Sequence, residues 1–337
     1  MSKFSVILAT RDRPVLFEAA LLSVLDQDFD DFEIIIVDDG SASEYKELYE
    51  SIYERAQRSL GKRIKLFRLL RRPRGHGQSY SLNFGVDQAI GTYVLFLDDD
   101  DTWTDRHHLT RFNQALVNHP NADLYFTNQN AYFRDEIKAG PIWLESLEKE
   151  LINDSIKPDV DNFFIVPIEN LMNTWGFCHL NCMAVRRELY LNIMGMDEGI
   201  RWECDRDIFL RLVDSASIII FNPSFVSRHN IPDPSKSMNM STALSMLEKR
   251  LYQIRVFDKA AIFSKKKCIR IYAKRHKGYA LKKIAEDLAD IKMWAEAAYY
   301  AKEAFGPNLT FKWFLFTTYC SIQSWRLRLI QTATYTS

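Results

Sequence analysis

The sequence predicts an α/β protein with a mixed, mostly parallel sheet flanked by helices, followed by a C-terminal α-helical domain. Three observations lead to this prediction. Short apolar runs alternate with helical patterns over the first half of the chain, which is typical of a sheet covered on both faces. Polar segments follow three of these runs. Beyond residue 240, the apolar spacing is helical almost throughout.

The spacing of apolar residues places the elements of the first half. A continuous apolar run predicts a buried strand, and apolar residues three or four positions apart predict a helix. The helix at 45–60, for example, should bury Leu48, Ile52 and Ala56. The predicted strands are 4–9, 32–37, 64–70, 92–97 and 122–127, and the predicted helices are 14–25, 45–60, 79–90 and 109–117.

The second half is irregular up to residue 180, with one helix predicted at 143–151, and then returns to the α/β pattern. Strands are predicted at 182–185, 218–221 and 225–228. The proline- and serine-containing segment IPDPSKS then indicates a linker. The predicted organisation is a first domain at 1–232, a linker at 233–240 and a helical domain at 241–337.

Composition sets limits on location and partners. The chain has 337 residues, of which 47% are apolar and 26% are charged. Lys+Arg and Asp+Glu both total 44, so bulk charge does not favour a nucleic-acid partner. Its five cysteines form no CxxC pair, which indicates a reducing compartment. The N-terminus lacks the apolar stretch of a signal peptide. The expected location is the cytoplasm, with peripheral contact at the inner face of the membrane.

The segment LDDDD, residues 97–101, places four carboxylates directly after an apolar strand. Two carboxylates about 4 Å apart repel by about 4 kcal/mol near a protein surface, so the cluster needs a cation or hydrogen-bond donors. Alternate side chains face the same way, so Asp98 and Asp100, at DXD spacing, can converge on one point. Such oxygen ligands suit Mg²⁺ or Mn²⁺ together with substrate phosphates. A solvated acidic turn is the plainer alternative.

Four segments carry a resemblance to a known family. They are ATRDRP at 9–14, VDDGS at 37–41, RGHGQSYSLNFG at 74–85 and GMDEGIRWECDRDIFLRL at 195–212. In this order, over residues 4–232, they resemble the family-2 inverting glycosyltransferases of the GT-A fold. The resemblance implies that a sugar moves from a nucleotide-diphosphate donor, UDP-linked in most cases, to a hydroxyl acceptor with the help of Mn²⁺ or Mg²⁺. The implied setting is glycan or polysaccharide assembly, on a glycan or lipid-linked saccharide.

The same resemblance implies roles for individual residues. Asp38 is a structural candidate, and Asp99 and Asp101 are expected to face away from the opening. His229 serves either as a metal ligand or as an ordinary hydrogen-bonding residue. Trp175 and His179 are candidates to line an acceptor pocket, because aromatic faces suit sugar rings, and an ordinary core tryptophan is the alternative for Trp175. The residues implied to bind the nucleotide-sugar are Thr10, Arg13, Asp39, Arg71, Arg74, Asp98 and Asp99, and those implied to bind the metal are Asp100 and His229.

An inverting transferase needs a base that takes the proton of the acceptor hydroxyl, and a carboxylate can serve. The family pattern has Glu-Asp, one residue, Asp, three apolar residues and Arg. Here it reads Cys204-Asp205 and continues to Arg211, so the resemblance assigns the base to Asp205. Cys204 departs from the pattern because it replaces the glutamate. Glu203, one position earlier, therefore remains the alternative base.

Other function classes fit less well. A processive polysaccharide synthase would carry QxxRW and membrane helices, whereas residues 323–326 read QSWR and no apolar run approaches the roughly eighteen residues of a membrane span. A nucleotidyltransferase would carry a glycine-rich, lysine-bearing loop where ATRDRP stands. A dinucleotide loop is disfavoured because Tyr80 occupies the third glycine position of GxGxxG. The remaining alternative is a catalytically silent sugar-nucleotide-binding or scaffold protein that acts through its helical tail.

The helical tail contains a basic stretch at 265–283 without an acidic residue. Four of its basic residues share one helix face: Lys267, Arg270, Lys274 and Lys277. A solvated face is the plain interpretation, and contact with an anionic membrane is the sharper one. Aromatic and basic residues between 313 and 328 support the second as an interfacial amphipathic segment.

Overall fold

The computed structural model describes residues 2–138, 140, 142–233, 240–306 and 309–335. Contacts divide the chain into two compact units, Met1–Ser237 and Met238–Ser337. Of the predicted linker, residues 234–239 lie outside the described residues.

The first unit is built on one mixed sheet, which has ten strands among the described residues. The strands are β1 Phe4–Thr10, β2 Phe32–Asp38, β3 Ile64–Arg68, β4 Tyr93–Phe96, β5 Thr102–Trp103, β6 Leu124–Phe133, β7 Glu136–Ile137, β8 Phe164–Ile165, β9 Met183–Arg186 and β10 Ile219–Asn230. Their order is β3-β2-β1-β4-β9-β6-β10-β5, with β7 beside β6 and β8 beside β10. The first four of this order are parallel, and β9 runs antiparallel to both neighbours.

Eight α-helices are described in this unit. They are α1 Pro14–Leu25, α2 Lys46–Leu60, α3 Gln78–Gln88, α4 His108–Asn118, α5 Leu147–Asn153, α6 Ile168–Asn173, α7 Arg187–Asn192 and α8 Cys204–Ser215. The main core forms where α1, α2 and α4 cover one face of the sheet. On the other face α3 lies directly on β1, because a Cβ at Gly85 would be 2.5 Å from Cγ2 of Ile7.

Three predicted features differ in the structure. The two strands predicted at 218–221 and 225–228 are one strand, β10, whose register against β6 shifts between Phe221 and Ser227. The helix predicted at 143–151 begins only at Leu147. In α2 the buried face uses Tyr49 with Ile52 and Ala56, while Leu48 is exposed, because Tyr49 packs under α1 against Phe17.

The second unit consists of helices α9 Met240–Ala243, α10 Met246–Phe263, α11 Lys267–Asp290, α12 Trp294–Glu303 and α13 Phe311–Tyr335. Helix α10 begins with a capping box in which Ser245 and Glu248 bond to each other's backbone N–H groups. Alanines line the contact of α11 with α12, where small side chains let the helices approach closely. Among the described residues, no helix combines the length and the apolar character needed to cross a bilayer.

Candidate active site

The acidic cluster follows β4, at the carboxyl ends of the parallel strands, where α/β sheets bind ligands. Its four side chains alternate in exposure. Asp98 and Asp100 keep 21% and 24% of their side-chain surface exposed, whereas Asp99 keeps 2% and Asp101 none. Only the first and third carboxylates therefore reach the opening of the site. Carboxylate oxygens of Asp98, Asp100 and Asp101 lie within 4.8 Å of one another.

Arg13, at the start of α1, neutralises part of this charge. Its Nη2 is 2.6 Å from Oδ1 of Asp99, and its Nη1 donates to Oδ2 of Asp100 at 2.8 Å. Burial nevertheless raises the pKa of Asp99 to about 7, although the charge of Arg13 opposes the shift. Burial and the neighbouring carboxylates also raise the pKa of Asp98 and, against Arg13, that of Asp100. One arginine is thus too little positive charge for this cluster.

Asp101 is a structural acceptor beneath the site. Its Oδ2 accepts from Nδ2 of Asn181 at 2.6 Å and from Nδ1 of His229 at 2.7 Å. Its Oδ1 accepts the backbone N–H of Asn230 at 2.7 Å. These three bonds tie the end of β4 to β10 and to the loop before β9.

Asp205, in the first turn of α8, is brought next to Asp98 by His179. The backbone N–H of Asn181 donates to Nδ1 of His179 at 3.3 Å, so this nitrogen carries no hydrogen and Nε2 does. That Nε2 lies 3.4 Å from Oδ2 of Asp205 and 3.9 Å from Oδ2 of Asp98. Burial lowers the pKa of His179 against the nearby carboxylates, which favours the neutral ring, and Nε2 lies nearer to Asp205 than to Asp98.

A second connection between Asp98 and Asp205 runs through Gln78 and Cys204. Nε2 of Gln78 donates to Oδ1 of Asp98 at 2.7 Å. The Cys204 thiol lies 3.7 Å from both Oε1 of Gln78 and Oδ1 of Asp205, and its pKa is raised by burial, so it stays a neutral donor. The residue that departs from the family pattern is therefore part of the contact between strand end and helix.

Glu203, the alternative base, has a different environment. It caps the start of α8 in a left-handed backbone conformation, with φ at 64°. Its Oε2 is 2.6 Å from Nε of Arg206, and its side chain is 10% exposed. A carboxylate held by a neighbouring guanidinium is a weaker proton acceptor than one facing an opening.

The loop at 75–77 closes over the end of β2. Both oxygens of Asp39 are used by this loop: Oδ1 accepts the N–H of His76 at 2.8 Å and Oδ2 that of Gly77 at 2.9 Å. A Cβ at Gly75 would lie 2.4 Å from Asp39 Oδ2 and 2.2 Å from Nη1 of Arg11, which explains the glycine. Asp39 thus positions the loop in this structure.

The other residues predicted to bind the donor are dispersed around this loop. Thr10 is buried, and its hydroxyl pairs with that of Tyr49 at 2.8 Å. Arg71 lies at the surface, 3.2 Å from Oδ1 of Asp12. Arg74 is also exposed, and its carbonyl accepts from Arg201. The geometry therefore joins Arg13 with the acidic cluster but leaves Arg71 and Arg74 at the surface.

His229 belongs to an aromatic cluster beside the carboxylates. The ring of Trp143, 5% exposed, lies 5.3 Å from that of His229 and 6.0 Å from that of His179. Burial opposes protonation of His229, but the hydrogen bond and charge of Asp101 outweigh it and raise the pKa of His229. Trp175, by contrast, is 70% exposed.

Comparison of the chain with known protein families shows to which family it belongs. The model of glycosyl transferase family 2 matches residues 5–191, more than half of the chain. The chain belongs to glycosyl transferase family 2. The predicted family and its GT-A fold are thereby confirmed, since solved structures with this fold also match.

Among curated family relatives, a GalNAc(5)-diNAcBac-PP-undecaprenol beta-1,3-glucosyltransferase of Campylobacter jejuni is 42% identical over 101 residues, 30% of each chain. The succinoglycan biosynthesis protein ExoW of Rhizobium meliloti is 27% identical over 200 residues, 56% of this chain and 57% of that protein. The match thus spans between about a third and three fifths of these relatives.

Two solved structures share the fold. S. aureus TarS 1-349 in complex with UDP-GlcNAc matches with a TM-score of 0.64 at 17% identity, over 90% of this chain and 80% of that one. The mannosyltransferase PcManGT from Pyrobaculum calidifontis, in complex with GDP-Man and Mn2+, matches with a TM-score of 0.58 at 17% identity, over 95% and 84%. At these identities the likeness shows the fold alone.

Sequence reasoning missed part of this site. Gln78, Asn181 and Trp143 were not singled out, and His179 was considered only as part of an acceptor pocket. Gln78 lies in the segment that carried the resemblance, so the first helical turn after the glycine loop was an available signal. The other three come from irregular segments, where no periodicity indicates which side chain faces the site.

Proposed function

We propose that this protein is a metal-dependent, inverting glycosyltransferase that uses a nucleotide-diphosphate sugar. The observation that carries the proposal is the pairing of two carboxylates from distant segments. His179 holds Asp205, at the start of α8, beside Asp98, at the end of β4. A donor-binding acidic group and a proton acceptor next to it are what sugar transfer to a hydroxyl requires.

The donor site proposed is the opening above Asp98 and Asp100. Family membership supports a nucleotide-sugar, and the two matching structures are complexes with UDP-GlcNAc and GDP-Man. We favour a UDP-sugar. The side chains predicted to bind the donor contact other protein groups in this structure. We therefore propose that they support the donor site indirectly, or bind the donor after the loop at 75–77 moves. These residues are Thr10, Asp39, Arg71 and Arg74.

Asp98 and Asp100 fit a divalent cation. Their carboxylates are hard oxygen ligands that reach the opening. Burial and then the neighbouring carboxylates raise the pKa of both, so a cation would stabilise their charged forms. Arg13 contacts Oδ2 of Asp100, and Oδ1 is the atom we assign to the ion. His229 donates a hydrogen bond from Nδ1 to Asp101, which leaves Nε2 of the neutral ring as the nitrogen that we assign to the ion. Bound Mn²⁺ or Mg²⁺ stabilises charge on the departing diphosphate.

Asp205 is the proposed base. Its side chain is 22% exposed, so an acceptor hydroxyl can reach it, and it accepts that proton as the hydroxyl oxygen attacks the anomeric carbon. Nε2 of His179 lies 3.4 Å from this carboxylate, and we assign it the role of orienting the carboxylate. The ion pair with Arg206 makes Glu203 the weaker choice.

The acceptor proposed is a glycan or lipid-linked saccharide in polysaccharide or related surface glycan assembly. The support comes from relatives: one is named for a saccharide on an undecaprenol diphosphate and another for succinoglycan biosynthesis. A cytoplasmic location at the inner face of the membrane is part of this proposal.

The test compares Asp205→Asn with Glu203→Gln. Release of nucleoside diphosphate is measured with a panel of UDP-, GDP- and dTDP-sugars, Mn²⁺ and saccharide acceptors. We expect Asp205→Asn to lower the rate of transfer by about 10²- to 10⁴-fold with nucleotide affinity unchanged. Glu203→Gln should keep most of the wild-type rate. Wild-type turnover in Asp205→Asn would exclude this base. Nucleotide binding without turnover by the wild-type protein would favour the silent scaffold.

A further inference from the structure

Between Phe311 and Leu329, where the structure describes the side chains, helix α13 has one apolar face that is covered and a second that is exposed. Trp313 and Cys320 are buried against the preceding helices, and Nε1 of Trp313 donates to the carbonyl of Ala301 at 3.0 Å. Phe316 packs beside them. This face is sufficient to attach the helix to its unit.

The second face is exposed and mainly apolar, with Thr318 and Arg326 among its apolar residues. At about 100° per residue its side chains fall within an arc of about 140°, opposite the buried face. It extends for about 27 Å along the helix, at about 1.5 Å per residue. The residues, with their exposed fractions, are Phe311 77%, Phe314 50%, Leu315 51%, Tyr319 50%, Ile322 48%, Trp325 62% and Leu329 48%. We name this set the α13 apolar face.

Charge along α13 indicates what covers this face. Between Phe311 and Tyr335 the sequence has no acidic residue and three basic ones, Lys312, Arg326 and Arg328. In a pairing of α13 with a second copy of itself, the helices would therefore present only like charges to each other. An anionic lipid surface accepts the apolar side chains and pairs with the cations at the same time.

The basic face predicted on α11 is a weaker candidate for such contact. Nη1 of Arg270 donates to the carbonyls of Ser264 at 2.7 Å and Lys265 at 2.6 Å, at the end of α10. Nζ of Lys277 lies 2.6 Å from Oδ1 of Asp258. Two of the four predicted residues thus serve contacts within the helical unit.

We propose that the α13 apolar face binds the surface of an anionic bilayer, with the helix lying in the plane of the interface. The aromatic residues enter the boundary between headgroups and acyl chains, and Arg326 and Arg328 lie near lipid phosphates. The binding needs no donor or acceptor, so it stands or falls separately from the proposed glycosyl transfer.

The experiment is sedimentation of the full chain with vesicles of phosphatidylcholine, alone or mixed equally with phosphatidylglycerol. We expect binding to the mixed vesicles that weakens with salt. The double variant Ile322→Ser, Trp325→Ser should lower the bound-to-free ratio about tenfold or more. Arg326→Gln, Arg328→Gln should lower it on mixed vesicles only. The matched control is Val160→Ser, which changes a 97% exposed apolar residue of the first unit and should bind as wild type.

Several results would overturn the proposal. The wild-type protein could remain in solution with mixed vesicles at low salt, or the Ile322, Trp325 variant could bind as well as the control. A dimer by light scattering that the same variant dissociates would assign the face to a second copy. Thermal unfolding of each variant, followed by circular dichroism, verifies that altered binding comes from a folded protein.

Discussion

The acidic end of β4 and the α13 apolar face both leave groups in an environment that a ligand would improve, for opposite physical reasons. At β4, burial raises the pKa of Asp98, Asp99 and Asp100, and the neighbouring carboxylates add to the shift. On α13, large apolar side chains remain in water. A ligand of the right chemistry would lower the free energy of either region.

The two regions differ in how much their geometry reveals about that ligand. Directed hydrogen bonds hold the carboxylates, so their oxygens define a position for a small cation. Apolar contacts have no direction, so the α13 face defines an area, and only its neighbouring charges indicate a partner. A polar site can therefore be assigned atom by atom, whereas an apolar face can be assigned only by class of partner.

The largest expected effect separates the two faces of α13. Trp313→Ala removes a buried side chain and should lower the free energy of unfolding by about 3 to 5 kcal/mol. Trp325→Ala changes a 62% exposed residue on the same helix and should stay within about 0.5 kcal/mol. Urea unfolding of both variants measures this. Equal destabilisation would mean that the exposed face also holds the helix in place.

The next effect concerns the contact that joins β4 to α8. His179→Leu removes the Nε2–H donor beside Asp205, and we expect kcat to fall about 10- to 100-fold with the KM for the donor unchanged. His179→Gln supplies another N–H donor and should recover part of the rate. A loss of the same size in both variants, with normal folding, would contradict the orienting role.

A smaller effect reports the burial of a carboxylate at the end of β4. The pKa of Asp99 is raised to about 7, so the folded state holds its proton more tightly than the unfolded chain, and this group's contribution to stability is lost as pH rises towards 7. Asp99→Asn removes the titrating group, so the variant does not lose this stability as pH rises. We expect the variant to be more stable than wild type by about 1 to 2 kcal/mol at pH 8, with the difference shrinking towards pH 5.

Thermal unfolding across this pH range measures the difference. A variant that is less stable at every pH would show that the ion pair of Asp99 with Arg13 outweighs the cost of burial. The acidic end would then be stabilising, and the comparison with α13 would fail.

Much of the fold was predictable because local pattern and tertiary structure agree in the parallel strands. Strands β1, β2 and β4 are mostly apolar and almost entirely buried since helices cover both sides, and the acidic segments follow them. The division of 218–228 into two strands was wrong because Asn222 and Pro223 interrupt the apolar pattern, while β10 accommodates them through a register shift.

The site was predictable only where its residues lie at strand or helix ends. Asp98, Asp100 and Asp205 came from such positions, and the structure brings them together. The loop that contributes His179 and Asn181 has no period, and its role depends on a backbone N–H bonding to an imidazole nitrogen. On α13, apolar residues surround the helix, so sequence alone cannot tell the covered face from the exposed one.

The central claim is that the acidic end of β4 is a nucleotide-sugar site completed by a metal ion. Calorimetric binding of UDP, GDP, dTDP and CDP, each with Mn²⁺ and with EDTA, tests it most directly, with Asp100→Asn as the matched variant. We predict that one nucleotide binds with Mn²⁺, and that EDTA or Asp100→Asn weakens it about tenfold or more. Equal affinity in EDTA, or no binding of any nucleotide to the folded protein, would contradict the account.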